Sequence, residues 1–515
     1  MGNVSYGARD VNSFRNSIKY NHKPDVSSMT YEGLINEYYF DVQSNIKNEN
    51  NNDNEGKNDD EKKSDQIIIP TYNYAKSKVP LPLLTAKAIN ATNKNNETNV
   101  LNSYYEHFMT VGLVENFDVN SMKRQPLNLV ITLDISGSMN GSFSYDKNNN
   151  QIKMEVAKQS LISLLKHLNN DDRLGIITFN SQAQIIQKME YVKDIDIDEL
   201  KQNISKIKAG GGTDMEVAFS KALTLYDELP WKYATPNSDN EIKQKRDALK
   251  KGDKVYINVN NSWIKGEIKE IKMDSNDEEW FNVVYKHYGE IMLKQIQRES
   301  DELKPVMNVD NGVGSEYSNR IIFLTDAVPN NSYKKNDIIN MVKVSGTNEN
   351  SMFYGDVYTT FIGVGIDFNT KLIEKVTKVK GGNYLSVHSN DEFKKTMDDE
   401  FIFLVSPIVF DFKLILKAEG NALCIKRAWG TGNDEKQNEL LLKNGELMNV
   451  ETMFPSKHDE NDKIQGGLVL LKLKTDNNEG KIDYNMELNV SYTDLNQKLY
   501  KAKHDIILNK HNIQF

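Results

Sequence analysis

Residues 127–138 read Leu-Asn-Leu-Val-Ile-Thr-Leu-Asp-Ile-Ser-Gly-Ser, a nearly continuous apolar run that ends in Asp134, Ser136 and Ser138. A short, β-branched run closed by turn residues predicts a strand buried on both faces. Working outward, residues 153–168 carry Val156, Leu161, Leu164, Leu165 and Leu168 at helical spacing. Strands are expected over 173–180 and 183–192, a helix over 196–207, and a second helix over 213–229 that opens with the capping pair Thr213-Asp214. The rhythm resumes with a buried strand over 320–327, a polar helix over 334–343, a strand over 357–365, a helix over 370–380 and a strand over 383–387. Continuous apolar strands alternating with helices imply an α/β fold, a doubly wound parallel sheet covered by helices on both faces.

Three loops of this pattern carry chemistry. Asp134-x-Ser136-x-Ser138 is a weak pattern alone, but it stands at the carboxyl end of a buried strand, where open α/β sheets place ligands. Thr213 follows Gly210, Gly211 and Gly212 at the entry to a helix, and Asp326 closes the second buried run.

Both flanks have a different texture. Residues 405–515 alternate polar and apolar side chains in short strands, the pattern of an antiparallel sandwich, and residues 107–119 alternate in the same way. Between 230 and 319 the α/β rhythm breaks, and residues 245–303 form closely spaced short strands with turn chemistry, the look of a small inserted barrel. Residues 44–66, rich in Asn, Asp, Glu and Lys, have almost no apolar side chain with which to offset ordering entropy. The expected map is a disordered region and Asn-rich linker over 1–66, sandwich strands over 67–126, the α/β domain over 127–404 with the barrel at 245–303, and the rest of the sandwich over 405–515.

Composition narrows the function. A chain of 515 residues should hold two to four domains, and its net charge of −9 provides no basic field for nucleic acid. One cysteine, Cys424, excludes a disulfide framework and a Cys-rich zinc site, and the eight histidines show no metal-ligand spacing. No phosphate-binding loop, nucleophile elbow or zinc-protease motif occurs, and no histidine lies in the three loops, so no enzyme activity is expected. No apolar run reaches 18 residues and the first residues lack a signal-peptide core, so a cytoplasmic protein is expected, with the nucleus as the alternative. Gly2 invites N-myristoylation, but Tyr6 stands where the acylation pattern wants Ser or Thr.

The three loops, in this order and on these elements, resemble a von Willebrand factor A domain with a complete metal-ion-dependent adhesion site. The resemblance covers roughly 127–230 and 319–400. It implies that Asp134, Ser136, Ser138, Thr213 and Asp326 form a metal shell. Two carboxylates and three hydroxyls are hard donors that suit Mg²⁺, with Mn²⁺ as a substitute. A shell of such low charge leaves the ion electrophilic, so a protein partner offering Asp or Glu is the implied ligand. The flanking sandwich resembles that of intracellular and bacterial A-domain proteins and, more loosely, of inter-alpha-trypsin-inhibitor heavy chains. The insertion resembles a Tudor- or agenet-like SH3-type barrel. Trp263, Tyr285 and Tyr288 are its candidate aromatic cage for methylated lysine or arginine, set against ordinary core and rim roles. The leading expectation is an adaptor acting through the metal. A modification reader acting through the barrel and a partner subunit for a separate ATPase are the alternatives.

Overall fold

The computed structural model describes residues 15, 18, 39–40, 66–80, 103–117, 124–142, 151–227, 239–259, 262–287, 290–305, 317–326, 332–345, 357–364, 379–387, 390–398, 400–418, 425–431, 444–456, 461, 463–473, 485–506 and 513–514. Gly2, Cys424, the linker over 44–65 and the expected helix over 370–380 up to residue 378 lie outside the described residues. The chain divides into two compact units, one of Met1–Lys123, Ile373–Tyr384 and Ser406–Phe515, the other of Arg124–Leu372 and Leu385–Val405.

The second unit is built on a six-stranded sheet. Its strands are β1 (Leu127–Asp134), β2 (Arg173–Phe179), β3 (Ala183–Tyr191), β4 (Ser318–Thr325), β5 (Val357–Val364) and β6 (Asn383–Val387), in the order β6-β5-β4-β1-β2-β3. β1 runs parallel to β2 and β4, and β4 runs parallel to β5. β3 departs from the expected parallel sheet and pairs antiparallel with β2. Residues 180–182 make a hairpin connection, far shorter than the dozen or so residues a parallel crossover needs.

All residues of β1, β2 and β5 are buried, as their apolar runs require. The helices of this unit include α1 (Lys153–Leu164), α2 (Ile197–Ser205), α3 (Met215–Asp227), α4 (Ser332–Ser345), α5 (Asn390–Met397) and α6 (Phe401–Val405). Side chains alternate across a strand. Leu129, Ile131 and Leu133 accordingly join Leu161 of α1, Leu200 of α2 and Phe393 of α5 in one core. On the opposite face Val130 and Gly175 lie against α3, so closely that a Cβ on Gly175 would meet Leu225 Cδ1 at 2.7 Å. α2 starts where it does because the Asp196 carboxylate accepts from the backbone N–H groups of Asp198 and Glu199, at 3.1 and 3.0 Å.

Between α3 and β4 the chain builds a five-stranded antiparallel sheet, in the order Glu290–Gln297, Glu279–His287, Ser262–Met273, Lys254–Val259, Leu303–Pro305. It has its own core, including Val255, Ile257, Ile268, Phe281 and Val283. Gly266 permits the close packing there, since a Cβ at that position would meet Val283 Cγ1 at 2.4 Å.

The first unit holds two larger sheets. One is antiparallel, in the order Glu446–Met453, Val409–Ala418, Met486–Thr493, Leu499–Ile506; the other runs Ile425–Trp429, Leu468–Leu473, Ser103–Glu115, Ile68–Pro80, Ile513–Gln514. Val111 and Leu471 from one sheet and Phe412 and Leu488 from the other share one core. Residues 379–382 belong with this unit, where Gly381 N donates to Thr452 Oγ1 at 2.6 Å. Tyr39–Phe40 departs from the disorder expected over 1–66 and pairs antiparallel with Ile464–Gln465.

Candidate metal centre

β1 and β4 lie in register with Leu133 opposite Leu324, so Asp134 and Thr325 close the two strands side by side. The Asp134 side chain is fully buried. Its Oδ2 accepts from the Thr325 hydroxyl at 2.6 Å and its Oδ1 from the Ser136 N–H at 2.7 Å. Beyond Ile135, whose N–H still bonds to Phe179 O at 2.7 Å, the chain tightens into the turn Gly137–Asn140. That turn aims two hydroxyls back at the sheet: Ser136 Oγ lies 3.0 Å from Ser138 Oγ, and Ser138 Oγ donates to Asp326 Oδ1 at 2.7 Å. The second oxygen of Asp326 accepts from Lys153 Nζ at 2.9 Å.

The loop carrying Thr213 is strapped to this turn through its backbone. Gly210 N donates to Ile135 O at 2.7 Å, and Gly137 N donates to Gly211 O at 3.0 Å. Asn180 holds the loop from below, donating through Nδ2 to Gly210 O at 2.9 Å and accepting the Asp214 N–H at 2.8 Å. Gly211 has φ +92° and sits where a Cβ would come within 3.0 Å of Asn180 Nδ2, so both conformation and space require glycine. Thr213 is half-buried on the same edge, two residues along. The structure thus joins Asp134, Ser136, Ser138 and Asp326 in one hydrogen-bonded group and brings the Thr213 loop onto it.

Burial pushes the Asp134 carboxyl up to about 6, and the neighbouring Asp326 charge pushes the same way against the lowering hydrogen bonds from Thr325 and Ser136. Two carboxylates this close favour a positive charge between them, and an ammonium already lies on one of them. The donor set therefore fits a hard cation, with hydroxyls completing the shell. Among the described residues no three His, Cys, Asp or Glu side chains converge, so a cation here has to draw on those hydroxyls. His167 stands just past the far end of α1 and pairs with Asp398.

Sequence reasoning passed over Thr325, Asn180 and Lys153. Thr325 was legible in principle as the residue beside Asp326. Asn180 and Lys153 carry no signal of their own, because each acts through a loop distant in sequence.

The aromatic cage does not assemble from what is described. Tyr285 is only 6% exposed and belongs to the barrel core, where its ring packs against other side chains and does not face solvent. Tyr288 and the Trp263 side chain lie outside the described residues.

Comparison with known proteins places a family match within the second unit. Residues 129–242 match the model of the von Willebrand factor type A domain, a match that stops before the inserted sheet and Asp326. Inter-alpha-trypsin inhibitor heavy chain H2 of Mus musculus is 27% identical over 157 residues, which is 30% of this chain and 15% of that protein. This chain thus spans only a small part of that relative's length. A von Willebrand factor type A protein from Catenulispora acidiphila aligns over 87% of this chain and 76% of its own, with 11% identity and a TM-score of 0.39. Proximal thread matrix protein 1 from the mussel byssus, solved with a zinc-occupied MIDAS motif, aligns over 55% of this chain and 49% of its own, with 12% identity and a TM-score of 0.28. The strands, the site-bearing loops and the family match converge on one statement: this chain carries a von Willebrand factor type A domain.

Proposed function

We propose that the chain is a protein-interaction adaptor whose A domain holds Mg²⁺, or Mn²⁺ in its place, and through it grips an Asp or Glu side chain of a protein partner. Asp134, Ser136, Ser138, Thr213 and Asp326 would hold the ion, which supplies an electrophilic position for an outside carboxylate. The observation that carries this reading is the hydrogen-bonded group Asp134, Ser136, Ser138 and Asp326 at the carboxyl end of β1 and β4. Its hydroxyl-rich composition keeps the shell low in charge. Binding is favoured over hydrolysis because the one histidine near in sequence, His167, is engaged with Asp398 beyond the opposite end of α1. The family's tie to protein interaction supports the same reading, and so do the inter-alpha-trypsin inhibitor relatives.

The inserted sheet supports an SH3-type reading by its strand order, with the short last strand beside the first. It serves in this proposal as an accessory module. No helix among the described residues is long and apolar enough to cross a membrane. A cytoplasmic location, with the nucleus as the alternative, is part of the proposal.

The test is partner recovery from one lysate by wild type, Thr213→Ala and Trp263→Ala, with a chelated arm. The proposal expects recovery to collapse with EDTA and with Thr213→Ala and to persist with Trp263→Ala. Recovery that survives both EDTA and Thr213→Ala overturns it.

A further inference from the structure

Lys153 is placed against its own electrostatic interest. It is the first residue of α1, where the unsatisfied N–H groups of the helix make a positive end that disfavours cations. It is also buried, with a side chain 7% exposed, although an ammonium is costly to take out of water. Its compensation is Asp326, whose fully buried carboxylate takes the ammonium at 2.9 Å. The loop before α1 fixes this placement: Lys153 N donates to Gly141 O at 3.0 Å, and Ser142 bridges Ile152. The next lysine of α1, Lys158, is served by Glu155 and by the Ser205 and Ile207 carbonyls, so it does not share the task.

Both oxygens of Asp326 are thereby engaged by the chain itself, one by Ser138 and the other by Lys153. An ion that draws on Asp326 has to share it with a fixed positive charge. We infer that Lys153 is a built-in counter-cation of this site, which holds Asp326 in place when no metal is present and weakens divalent-ion binding by competing for the same carboxylate. The inference rests on the metal-site reading above and adds a consequence. With Asp134 and Asp326 ionised, a divalent ion plus Lys153 leaves the loaded site with one net positive charge, where the two carboxylates alone would leave it neutral. That surplus favours capture of an anionic side chain.

The experiment titrates Mn²⁺ into the full chain, following the free ion by electron paramagnetic resonance, for wild type, Lys153→Met and Lys153→Arg. Thermal melts with and without Mn²⁺ accompany each titration. Lys153→Met keeps the apolar stem and removes the charge. It should bind Mn²⁺ about tenfold more tightly, since a like charge within a few ångströms is gone. Its metal-free melt should fall and its metal-induced rise should grow. Lys153→Arg keeps the charge and should stay within about threefold of wild type, which separates charge from packing. Equal or weaker Mn²⁺ binding by Lys153→Met, with wild type binding normally, overturns the role of Lys153 and leaves the metal site standing. Absence of Mn²⁺ binding in all three proteins overturns both. Binding by Lys153→Met alone would mean that the lysine blocks the site outright, which is the inference in its strongest form.

Discussion

At the amino-terminal end of the central sheet, Asn128 of β1 donates to Asn319 of β4 at 2.7 Å and accepts from Arg173 of β2 at 3.0 Å. The Tyr226 hydroxyl of α3 lies 3.0 Å from Asn128 O and 2.8 Å from Arg320 O. About 20 Å along the same strands, at ~3.3 Å per residue, Asp134 and Asp326 close the carboxyl end. Both ends bury polar groups, and burial acts on both: it pulls the Arg320 guanidinium down to about 10 and pushes the Asp134 carboxyl up to about 6. They differ in how charge is compensated. The amino-terminal end uses neutral amides, hydroxyls and aromatic rings, with Arg173 over the Tyr191 ring at 4.4 Å and Arg320 over that of Tyr358 at 5.4 Å. The carboxyl end gathers two carboxylates against one lysine, which leaves room for a further positive charge. The amino-terminal end holds guanidiniums among amides, hydroxyls and rings, whereas in the function proposed above the carboxyl end is completed by a cation.

That contrast can be broken most sharply at Asp134. Asp134→Asn keeps the shape and removes the charge, and it should lower Mn²⁺ affinity by at least about a hundredfold. Metal-free stability at pH 7 should not fall, because burial already penalises the ionised carboxylate. A titration and a urea melt on the same preparation check both halves. Loss of stability together with binding would make this end structural after all.

The complementary variant is Asn128→Ala. It leaves Asn319 and Arg173 each short of a buried partner, and it should cost about 2–4 kcal/mol of stability. Mn²⁺ affinity should stay within about twofold, because no bond of Asn128 reaches the carboxyl end. A large change in affinity would mean that the two ends are coupled through β1.

A pH series sharpens the comparison further. A carboxyl whose folded-state pKa is raised stabilises the fold below its unfolded value near 3.8, and this contribution is lost as pH rises through about 6. The metal-free protein should therefore lose an increment of stability across that window. Mn²⁺ has to displace the same proton, so its apparent affinity should fall by about tenfold per pH unit below about 6. Asp134→Asn should flatten the stability increment, and a profile unchanged by the substitution would assign it to another group.

The two ends were unequally legible. The apolar runs ending in Asp134 and Asp326 announced buried strands and their carboxyl termini, because burial on both faces leaves no polar interruption until the strand stops. Lys153 gave no sign, since a lysine at the start of an amphipathic helix looks like any solvated one, and its partner lies 173 residues away. The antiparallel turn of β3 was missed because the strand run reads alike in either direction; only the short connection at 180–182 distinguishes them. At the amino-terminal end, Asn128 and Arg173 are polar residues in otherwise apolar strand runs, and nothing local says that they are buried on each other. Tyr285 carried a related ambiguity: an aromatic residue in a barrel strand reads the same whether it faces the core or a ligand, and its burial matches the ordinary core role set against the cage.

The smallest effect is expected from the largest change. The chain leaves the domain at the end of α3 and returns at Ser318, the first residue of β4. The Tyr226 hydroxyl on the Asn128 and Arg320 carbonyls places the end of α3 at the amino-terminal end of the sheet. The inserted sheet therefore joins the domain at the end opposite Asp134 and Asp326, and it folds around a core of its own. Replacing residues 245–303 with a short Gly/Ser linker alters closure entropy by only about 0.6 kcal/mol per doubling of loop length. Mn²⁺ affinity should change by less than about threefold, and the metal-dependent rise in melting temperature should survive. If excision abolishes metal binding while circular dichroism still reports a folded sheet, the insertion reaches the site by a route other than β4. If excision unfolds the domain, the insertion is integral to the fold of the amino-terminal end.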